Sequence, residues 1–427
     1  MDSKSARPPA TVVFAFLDFN DGGAQRLALR TCQHLDAARF RARLLCVRGR
    51  GSLVAAAEAA GVSVDVLGRL RRRHDFGAVV RLARYFRSVG ADVVDVPLYS
   101  RASPYVRLAA KLAAVPLTVA HEHCRATPPT SARRWVDRLL APGTRFVAVS
   151  AADRAALIAA GVAPSAVDVV YPGIDLDHFA PADRSAARAS LGLPADRPIV
   201  LVPARLHPMK RHVDLLAALP SLRARLPGVL VLCAGDGPLA PVLPALARAA
   251  GLSEHVRFLG RRDDMPALFA AADVVALSSA VEGLPAVLIE AQAAERCVVA
   301  TDVGGVRDVV ADGDTGRLVP SGHPAALAGA LADVLADPPG RAAMAERARR
   351  AANARFGIAA GTRRLEAIYA SELARRGRAV PATPLGRPDG RGGAAGHGVV
   401  RCNVFMPNNG TAAAARSAGA GHGTGPG

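Results

Sequence analysis

Two glutamates, Glu282 and Glu290, stand eight residues apart where an apolar run gives way to a small-residue loop and a predicted helix. Gly283 and Leu284 lie in the loop, and Pro285 suits the first helical turn. A helix N-terminus at the end of a strand favours phosphate. A carboxylate one turn into the helix can accept two hydrogen bonds from a vicinal diol such as ribose, and one in the loop can hold sugar hydroxyls. The alternative is two exposed helix-end carboxylates.

A second pair of candidates is cationic. Arg205 and Lys210 follow a predicted strand at 198–204, and Lys210 is one of only three lysines in the chain. Fixed cations at the end of a strand can neutralise a diphosphate directly, without a metal ion. The other interpretation is two solvated loop cations.

Two further motifs fall in the first half of the chain. Gly22 and Gly23 open a predicted helix, where glycine allows the backbone to approach a ligand closely, although a plain tight turn fits equally well. His121 and His123 end a predicted strand and share a face in strict alternation. No third ligand at suitable spacing accompanies them, so we predict contact with a sugar hydroxyl or phosphate and no metal site.

The D-x-D pair Asp175/Asp177 lies in a Pro- and Asp-rich connection at 172–185. Its spacing could suggest a metal–nucleotide site, but its position between two regular regions favours a turn or a helix cap.

The elements that would position these residues form two successive series of apolar strands alternating with helices. This alternation predicts an α/β fold of two tandem, doubly wound parallel sheets that face a cleft, with ligands outside the carboxyl ends of the strands. The predicted units are 1–180 and 190–356, and 379–427 is predicted to be disordered because no periodicity survives there. The predicted strands are 11–17, 41–47, 62–67, 91–96, 116–122, 144–150 and 167–171, then 198–204, 229–235, 255–260, 272–278, 296–301 and 316–320.

The charge is unusual for a globular enzyme. The 427 residues carry a net charge of +18, but the excess is +11 in residues 1–190, +1 in 191–374 and +6 in 375–427. Nearly all the cations are arginines, which fits a GC-rich coding bias, and aromatic residues make up only 4%. Scarce aromatics and the absence of a recognisable motif argue against nucleic-acid binding.

The six cysteines are scattered without a C-x-x-C pair, which favours free thiols in a reducing compartment. The N-terminus lacks the apolar core of a signal peptide, and no uncharged apolar run reaches 18 residues. We therefore expect a cytoplasmic protein.

Arginines cluster in the first half, and two sets of them have near-helical spacing. Such a face could dock on anionic lipid at the inner side of a membrane, or be merely solvated. The two sets are Arg81, Arg84 and Arg87, and Arg133, Arg134 and Arg138.

Taken together, these motifs resemble glycosyltransferase family 4, retaining enzymes of the GT-B fold. The resemblance covers residues 11–374 and is strongest over 198–335. It is carried by Arg205 and Lys210, by GDGP at 235–238, by Glu282 and Glu290, by 301–320, and more weakly by GGAQR at 22–26 and HEH at 121–123.

The resemblance implies that the second unit binds a nucleotide-diphosphate sugar, with UDP or GDP as its nucleotide, and that the first unit holds the acceptor. Glu290 would bind the ribose, Glu282 the donor sugar, and Arg205 and Lys210 the diphosphate. By the same resemblance Gly22 and Gly23 would approach the phosphate, and helix 357–374 would cross back onto the first unit. His121 or His123 would contact the donor sugar; His123 is preferred, although the double histidine leaves the register open.

The expected reaction is transfer of a sugar to a glycan or lipid-linked acceptor, without a metal. Two alternatives share the architecture: a nucleotide-sugar epimerase or phosphorylase, and a non-catalytic protein that binds a nucleotide sugar. Incubation with a nucleotide sugar and no acceptor separates transferase from epimerase, because only an epimerase would still form product.

Overall fold

The computed structural model describes residues 8–20, 23–68, 75–97, 103–122 and 139–381. Within them, two sheets follow one another along the chain, and every pairing between neighbouring strands is parallel, as the sequence predicts. The first sheet contains β1 (Ala10–Asp18), β2 (Phe40–Gly49), β3 (Ser63–Val66), β4 (Ala91–Val96), β5 (Leu117–Glu122), β6 (Thr144–Ala148) and β7 (Val167–Val169).

The second sheet repeats this design. Its central strands are entirely buried, because helices cover both faces of a parallel sheet, and this explains their unbroken apolar sequences. The second sheet contains β8 (Ile199–Pro203), β9 (Leu230–Ala234), β10 (Val256–Gly260), β11 (Val274–Leu277), β12 (Cys297–Thr301) and β13 (Arg317–Val319).

The strand orders are β3-β2-β1-β4-β5-β6-β7 and β10-β9-β8-β11-β12-β13. In each sheet the winding direction reverses beside the first strand, between β1 and β4 and between β8 and β11. In open α/β sheets, ligands bind at such switch points, outside the carboxyl ends of the strands.

The connecting segments are mostly helical. The helices are α1 (Gly23–His34), α2 (Val54–Ala59), α3 (Phe76–Ser88), α4 (Ser103–Leu112), α5 (Ala151–Ala159), α6 (Arg184–Ser190), α7 (His212–Arg225), α8 (Leu243–Ala249), α9 (Met265–Ala271), α10 (Ala286–Ala293), α11 (Val306–Val309), α12 (Pro324–Ala336), α13 (Pro338–Arg355) and α14 (Ile358–Arg375).

The chain crosses between the two sheets twice, and the crossings lie side by side. The Ile174 amide donates to Phe356 O at 2.8 Å, and the Ile358 amide donates to Ile174 O at 3.1 Å. Paired in this way, the crossings form a short parallel bridge at the junction.

After the second crossing, α14 packs on the first sheet. Leu365, Tyr369 and Leu373 belong to the same buried cluster as residues of β1, β2 and α1. Beyond the helix, Val380 packs against that cluster and Arg39 Nε donates to Pro381 O at 3.1 Å. The predicted disordered tail lies, from residue 382 onward, outside the described residues.

The described cysteines, Cys32, Cys46, Cys233 and Cys297, are free thiols. Burial raises the pKa of the Cys46 thiol to about 11 and that of Cys233 to about 12. These two side chains are therefore uncharged at neutral pH and are poor nucleophiles.

Candidate functional site

The predicted donor residues lie at the switch point of the second sheet. One loop follows β8 and carries Arg205 and Lys210, and the other follows β11 and carries Glu282 and Gly283. Because β8 and β11 are neighbours and parallel, both loops leave the sheet at its carboxyl edge. The cationic pair, Arg205 and Lys210, and the acidic Glu282 therefore lie at the same edge of the second sheet.

Lys210 and Glu282 are in direct contact. Lys210 Nζ lies 2.6 Å from Glu282 Oε1, and Ser279 Oγ donates to the same oxygen at 2.6 Å. The Glu282 side chain is 9% exposed and that of Lys210 is 25% exposed, so the pair opens to solvent on the lysine side. The arrangement holds a cation and a carboxylate close together at the mouth of the loops.

Hydroxyl groups fix the backbone beneath this pair. Ser278 Oγ donates to Lys210 O at 2.9 Å and lies 3.1 Å from Arg211 O. Thr301 Oγ1 donates to Ser279 O at 2.6 Å. The loop that carries Lys210 and the loop that carries Glu282 are thus tied to each other and to β12.

The Arg205 loop rests on the GDGP motif after β9. A Cβ on Gly235 would lie 2.1 Å from Ala204 O, so only glycine allows this approach. The Leu206 amide donates to Asp236 O at 3.0 Å. The Arg205 side chain is half-buried and makes no ion pair or hydrogen bond with the described part of the chain, which leaves its guanidinium available to a ligand.

The glycine pair after β12 supports the Glu282 loop from below. A Cβ on Gly304 would lie 1.9 Å from Glu282 O, and one on Gly305 would lie 2.0 Å from Gly283 O. The same Gly305 Cβ would lie 2.7 Å from Cβ of Ser150, which follows β6 of the first sheet. Gly305 is therefore packed between the loop that carries Glu282 and Ser150 of the first half.

Glu290 lies on α10, one turn after its start, and is 4% exposed. Its Oε1 is buried and accepts no hydrogen bond from the described residues. Burial raises the pKa of Glu290 from 4.5 to about 8, and the charge of Arg30 partly opposes this. A carboxyl group held without partners at a ligand-binding edge is suited to accept hydroxyl groups from a ligand.

Arg30, on α1 of the first half, forms an ion pair with Asp175 at the junction at 3.1 Å. Although Arg30 lies in the first half, its positive charge lowers the pKa of Glu290 and so partly opposes the effect of burial. No local pattern in the sequence singles out Arg30, because Asp175 and Glu290, the groups with which it interacts, lie far from it along the chain. Asp175 Oδ1 also accepts from the His178 amide at 3.4 Å, which fits a turn role for this aspartate.

His212 begins α7, directly after the lysine loop, and is 1% exposed. Burial, followed by the charge of Lys210, lowers the pKa of His212 to about 4. This imidazole is neutral at physiological pH and adds no charge beside Lys210.

His121 belongs to a buried polar network. His121 Nε2 lies 3.0 Å from Asp95 Oδ1, and Asp95 is fully buried at the end of β4. His121 Nε2 also lies 3.1 Å from Asp95 Oδ2, and the Tyr369 hydroxyl of α14 donates to that same oxygen. Burial and the Asp95 charge raise the pKa of Tyr369 well above 10, so its hydroxyl keeps the proton that it donates. The network links the end of β5 to the final helix.

The remaining predicted residues are placed as follows. Gly23 is the first residue of α1, and Pro285 is the N-cap residue of α10, one position before the predicted helical turn. Leu284 is partly buried against the core of the second half. Gly22 and His123 lie outside the described residues, as do Arg133, Arg134 and Arg138.

Within the described ranges, no group of three or more His, Cys, Asp or Glu side chains is placed to hold a metal ion. No helix in the same ranges is both long and apolar enough to span a bilayer.

Family models match both halves of the chain. The model described as "Glycosyltransferase Family 4" matches residues 21–178, and the one described as "Glycosyl transferases group 1" matches residues 183–351. A D-inositol 3-phosphate glycosyltransferase of Mycobacterium tuberculosis (strain H37Rv) is 41% identical over 237 residues, which cover 51% of this chain and 48% of that protein. The chain thus spans about half the length of the curated relatives that it matches.

Solved structures agree with the two-sheet architecture. The Anabaena protein Alr3699/HepE in complex with UDP is 26% identical, with a TM-score of 0.74 over 84% of this chain and 100% of that chain. A glycosyltransferase from Rickettsia africae is 21% identical, with a TM-score of 0.75 over 86% of this chain and 99% of that chain, and it supports the fold alone. Both sheets, both family models and these neighbours place the chain in glycosyltransferase family 4, with the GT-B fold.

Proposed function

We propose that this protein is a retaining glycosyltransferase that moves a sugar from a nucleotide-diphosphate sugar to a glycan or lipid-linked acceptor. Its proposed context is the synthesis of cell-surface polysaccharide or glycolipid at the cytoplasmic face of the membrane. The observation that carries the proposal is the junction of β8 and β11, where Lys210 and Glu282 are in contact. Glu290 follows on the adjoining helix, and its buried Oε1 accepts no hydrogen bond within the described part of the chain.

Each side chain has a proposed task toward the donor. Glu290 accepts the two ribose hydroxyls, which supply the hydrogen bonds that its buried oxygen lacks. Arg205 and Lys210 hold the diphosphate, and Glu282 holds hydroxyls of the sugar. UDP is the first nucleotide to test, because UDP and UDP-glucose are named in the solved Anabaena Alr3699/HepE complexes.

The proposed reaction breaks the bond between the anomeric carbon of the sugar and the β-phosphate oxygen. The acceptor oxygen forms a new bond to the same face of that carbon, and its proton passes to the departing phosphate. Arg205 and Lys210 stabilise the negative charge that develops on that phosphate. With no step inverting the anomeric centre, configuration is retained.

Donor turnover tests this proposal. UDP-glucose, UDP-galactose, UDP-N-acetylglucosamine and GDP-mannose are each incubated with the protein and a membrane lipid and glycan extract. We expect one donor to yield a glycosylated product whose anomeric signal in NMR matches the configuration of the donor. An inverted product would refute the retaining mechanism. Conversion of a nucleotide sugar without any acceptor into its epimer would instead support the epimerase alternative.

The acceptor side of the proposal concerns an exposed face formed by α3 and α4. Val80 is 50% exposed and Leu112 is 53% exposed, and the cations Arg84 and Lys111 lie on the same two helices. Arg81 is instead paired with Asp75 at 2.7 Å. Apolar side chains set among cations suit the interface of an anionic bilayer, which would bring the cleft to a lipid-linked acceptor.

Vesicle sedimentation tests this face. We expect binding to phosphatidylglycerol vesicles at low salt, little binding to phosphatidylcholine vesicles, and a loss of binding in Leu112→Glu. Leu246→Glu is the matched control, because Leu246 is 44% exposed on α8 of the other half. Equal binding by the wild type and Leu112→Glu would refute this face as the docking surface.

A further inference from the structure

Asp308 connects the two halves of the molecule through both of its carboxylate oxygens. It lies on α11, directly after the glycine pair that supports the donor loop. Its Oδ2 accepts from the Ala151 amide at 2.9 Å, and its Oδ1 accepts from the Tyr171 hydroxyl at 3.0 Å. Ala151 starts α5 of the first half, and Tyr171 lies in the first crossing between the sheets.

The contact with Ala151 is a helix cap supplied from across the molecule. The first amides of a helix have no partner within the helix, and the positive end of its dipole favours an anion. Ser150 caps α5 from within, since its Oγ accepts from the Asp153 amide at 3.0 Å. Asp308 accepts from the Ala151 amide, two positions before that of Asp153, which the helix's own cap leaves open.

The contact with Tyr171 reaches the hinge, by which we mean the two paired crossings of the chain at Ile174 and Gly357. Arg355, at the end of α13, lies over the Tyr171 ring at 5.3 Å from its centroid, and Arg355 Nη2 lies 3.3 Å from the tyrosine oxygen. Burial and the adjacent Asp308 raise the pKa of Tyr171, so the hydroxyl stays protonated and donates. Tyr171 therefore joins Asp308 to both crossings of the chain.

Steric contacts at Gly305 connect the surroundings of Asp308 to the loop that carries Glu282. Gly305 stands three positions before Asp308 and lies between Gly283 O and Cβ of Ser150. A shift that brings α5 closer to α11 would therefore press Ser150 against Gly305, and Gly305 against the loop that carries Glu282.

We propose that Asp308 is a positioning residue. It keeps the first half, which is proposed to hold the acceptor, correctly placed relative to the loop that carries Glu282. The proposal rests on the proposed transferase function only for its effect on turnover. Losing the carboxylate would free α5 and the hinge while leaving Lys210, Glu282 and Glu290 in place. Nucleotide affinity should therefore change little, whereas alignment of acceptor and donor should suffer, and a small misplacement can reduce turnover about 100-fold.

The test compares Asp308→Ala, Asp308→Asn and Tyr171→Phe with Asp314→Ala. Asp314 is an exposed carboxylate six positions on that pairs with Arg347 of its own half at 2.6 Å, so it is the matched control. Hydrogen exchange at the Ala151 amide needs no ligand. We expect exchange to be about tenfold faster in Asp308→Ala and unchanged in the control. Unchanged protection in Asp308→Ala would overturn the proposed cap.

The second readout separates binding from turnover. With UDP as probe, we expect the dissociation constant of Asp308→Ala to stay within about threefold of wild type. Release of UDP from UDP-glucose should fall about 10- to 100-fold, with a smaller fall in Tyr171→Phe. A fall in turnover that merely follows a loss of folded protein, or unchanged turnover, would overturn the positioning role. If wild type binds no UDP, the donor proposal fails, and the exchange experiment still judges the cap.

Discussion

Lys210 Nζ and Glu282 Oε1 lie 2.6 Å apart although 72 positions separate the two residues in the chain. The contact forms because β8 and β11 are adjacent and both loops leave the same edge of the sheet. In this state the lysine charge is balanced by a carboxylate. A bound diphosphate would offer the lysine a second anion, while Glu282 keeps the hydrogen bond from Ser279. We therefore expect Lys210 to move from Glu282 to the diphosphate when a donor binds.

The first prediction concerns Lys210. Replacing it with alanine removes the charge that we propose stabilises the departing phosphate, so we expect turnover to fall by about 10²- to 10³-fold. Lys210→Arg should retain part of the activity, because the charge remains but its geometry differs. The measurement is UDP release from the active donor.

Arg225→Ala is the control for that substitution. Arg225 lies in the same half and pairs with Asp333 at 2.8 Å, with both side chains more than half exposed. We expect its activity to equal that of wild type. Equal losses in Lys210→Ala and Arg225→Ala would show that net charge, and not the position of Lys210, matters.

Glu290 gives a prediction about pH. Its pKa is about 8 in the folded protein and near 4.5 when unfolded, so the folded state binds more protons between these values. The free energy of unfolding should therefore fall as pH rises from 6 to 8, by on the order of 2 kcal/mol. Urea denaturation at both pH values measures it.

In Glu290→Gln this component of the pH dependence should disappear, because the amide does not titrate in that range. Glu254→Gln, an exposed substitution in the same half, should keep the wild-type dependence. If wild type and Glu290→Gln show the same change with pH, then Glu290 is ionised in the unliganded protein.

Gly305 gives a steric prediction. A Cβ there would lie 2.0 Å from Gly283 O. Gly305→Ala must therefore displace the loop that carries Glu282 or move residue 305 away from that loop and toward Ser150. We expect turnover to fall at least about tenfold. Gly329→Ala adds the same methyl group within α12, where no atom lies within 4 Å, and should stabilise by about 0.5–1 kcal/mol. Wild-type turnover in Gly305→Ala would contradict the tight packing.

Most strands could be predicted closely from sequence because they are short runs bounded by turns, and the central strands of the second sheet are apolar throughout because both of their faces are buried. The helical region 338–375 is less simple, since it breaks at Phe356–Gly357, where the chain crosses between sheets. Periodicity does not report such a crossing, because helical patterning continues on both sides of it.

The candidate site was predictable where its residues share a loop or a helix. The spacing of Glu282 and Glu290 follows from one loop and one helix, and strand order then explains the contact of Glu282 with Lys210. Asp308 and Arg30 were not identified, because their partners lie in the other half of the chain. No local spacing encodes a contact between Asp308 and Ala151, 157 positions away.

The two histidines should separate stability from activity. His121→Ala removes one partner of the buried Asp95 carboxylate, so we expect a loss of about 2–4 kcal/mol in unfolding free energy. His123→Ala should lower donor turnover with little change in melting temperature, because His123 is predicted to contact the donor sugar. Differential scanning calorimetry and donor turnover measure the two effects. If His121→Ala lowers turnover without loss of stability, their roles are the reverse of those predicted.

The central claim is that the second sheet's switch point binds a nucleotide-diphosphate sugar through Glu290. Isothermal titration calorimetry of UDP, UDP-glucose and GDP measures this most directly, with wild type, Glu290→Ala and Arg225→Ala. We predict one nucleotide site per chain, affinity at least about tenfold lower in Glu290→Ala, and wild-type affinity in Arg225→Ala. Binding of equal strength to wild type and Glu290→Ala, or no binding of any of these nucleotides to wild type, would contradict the claim.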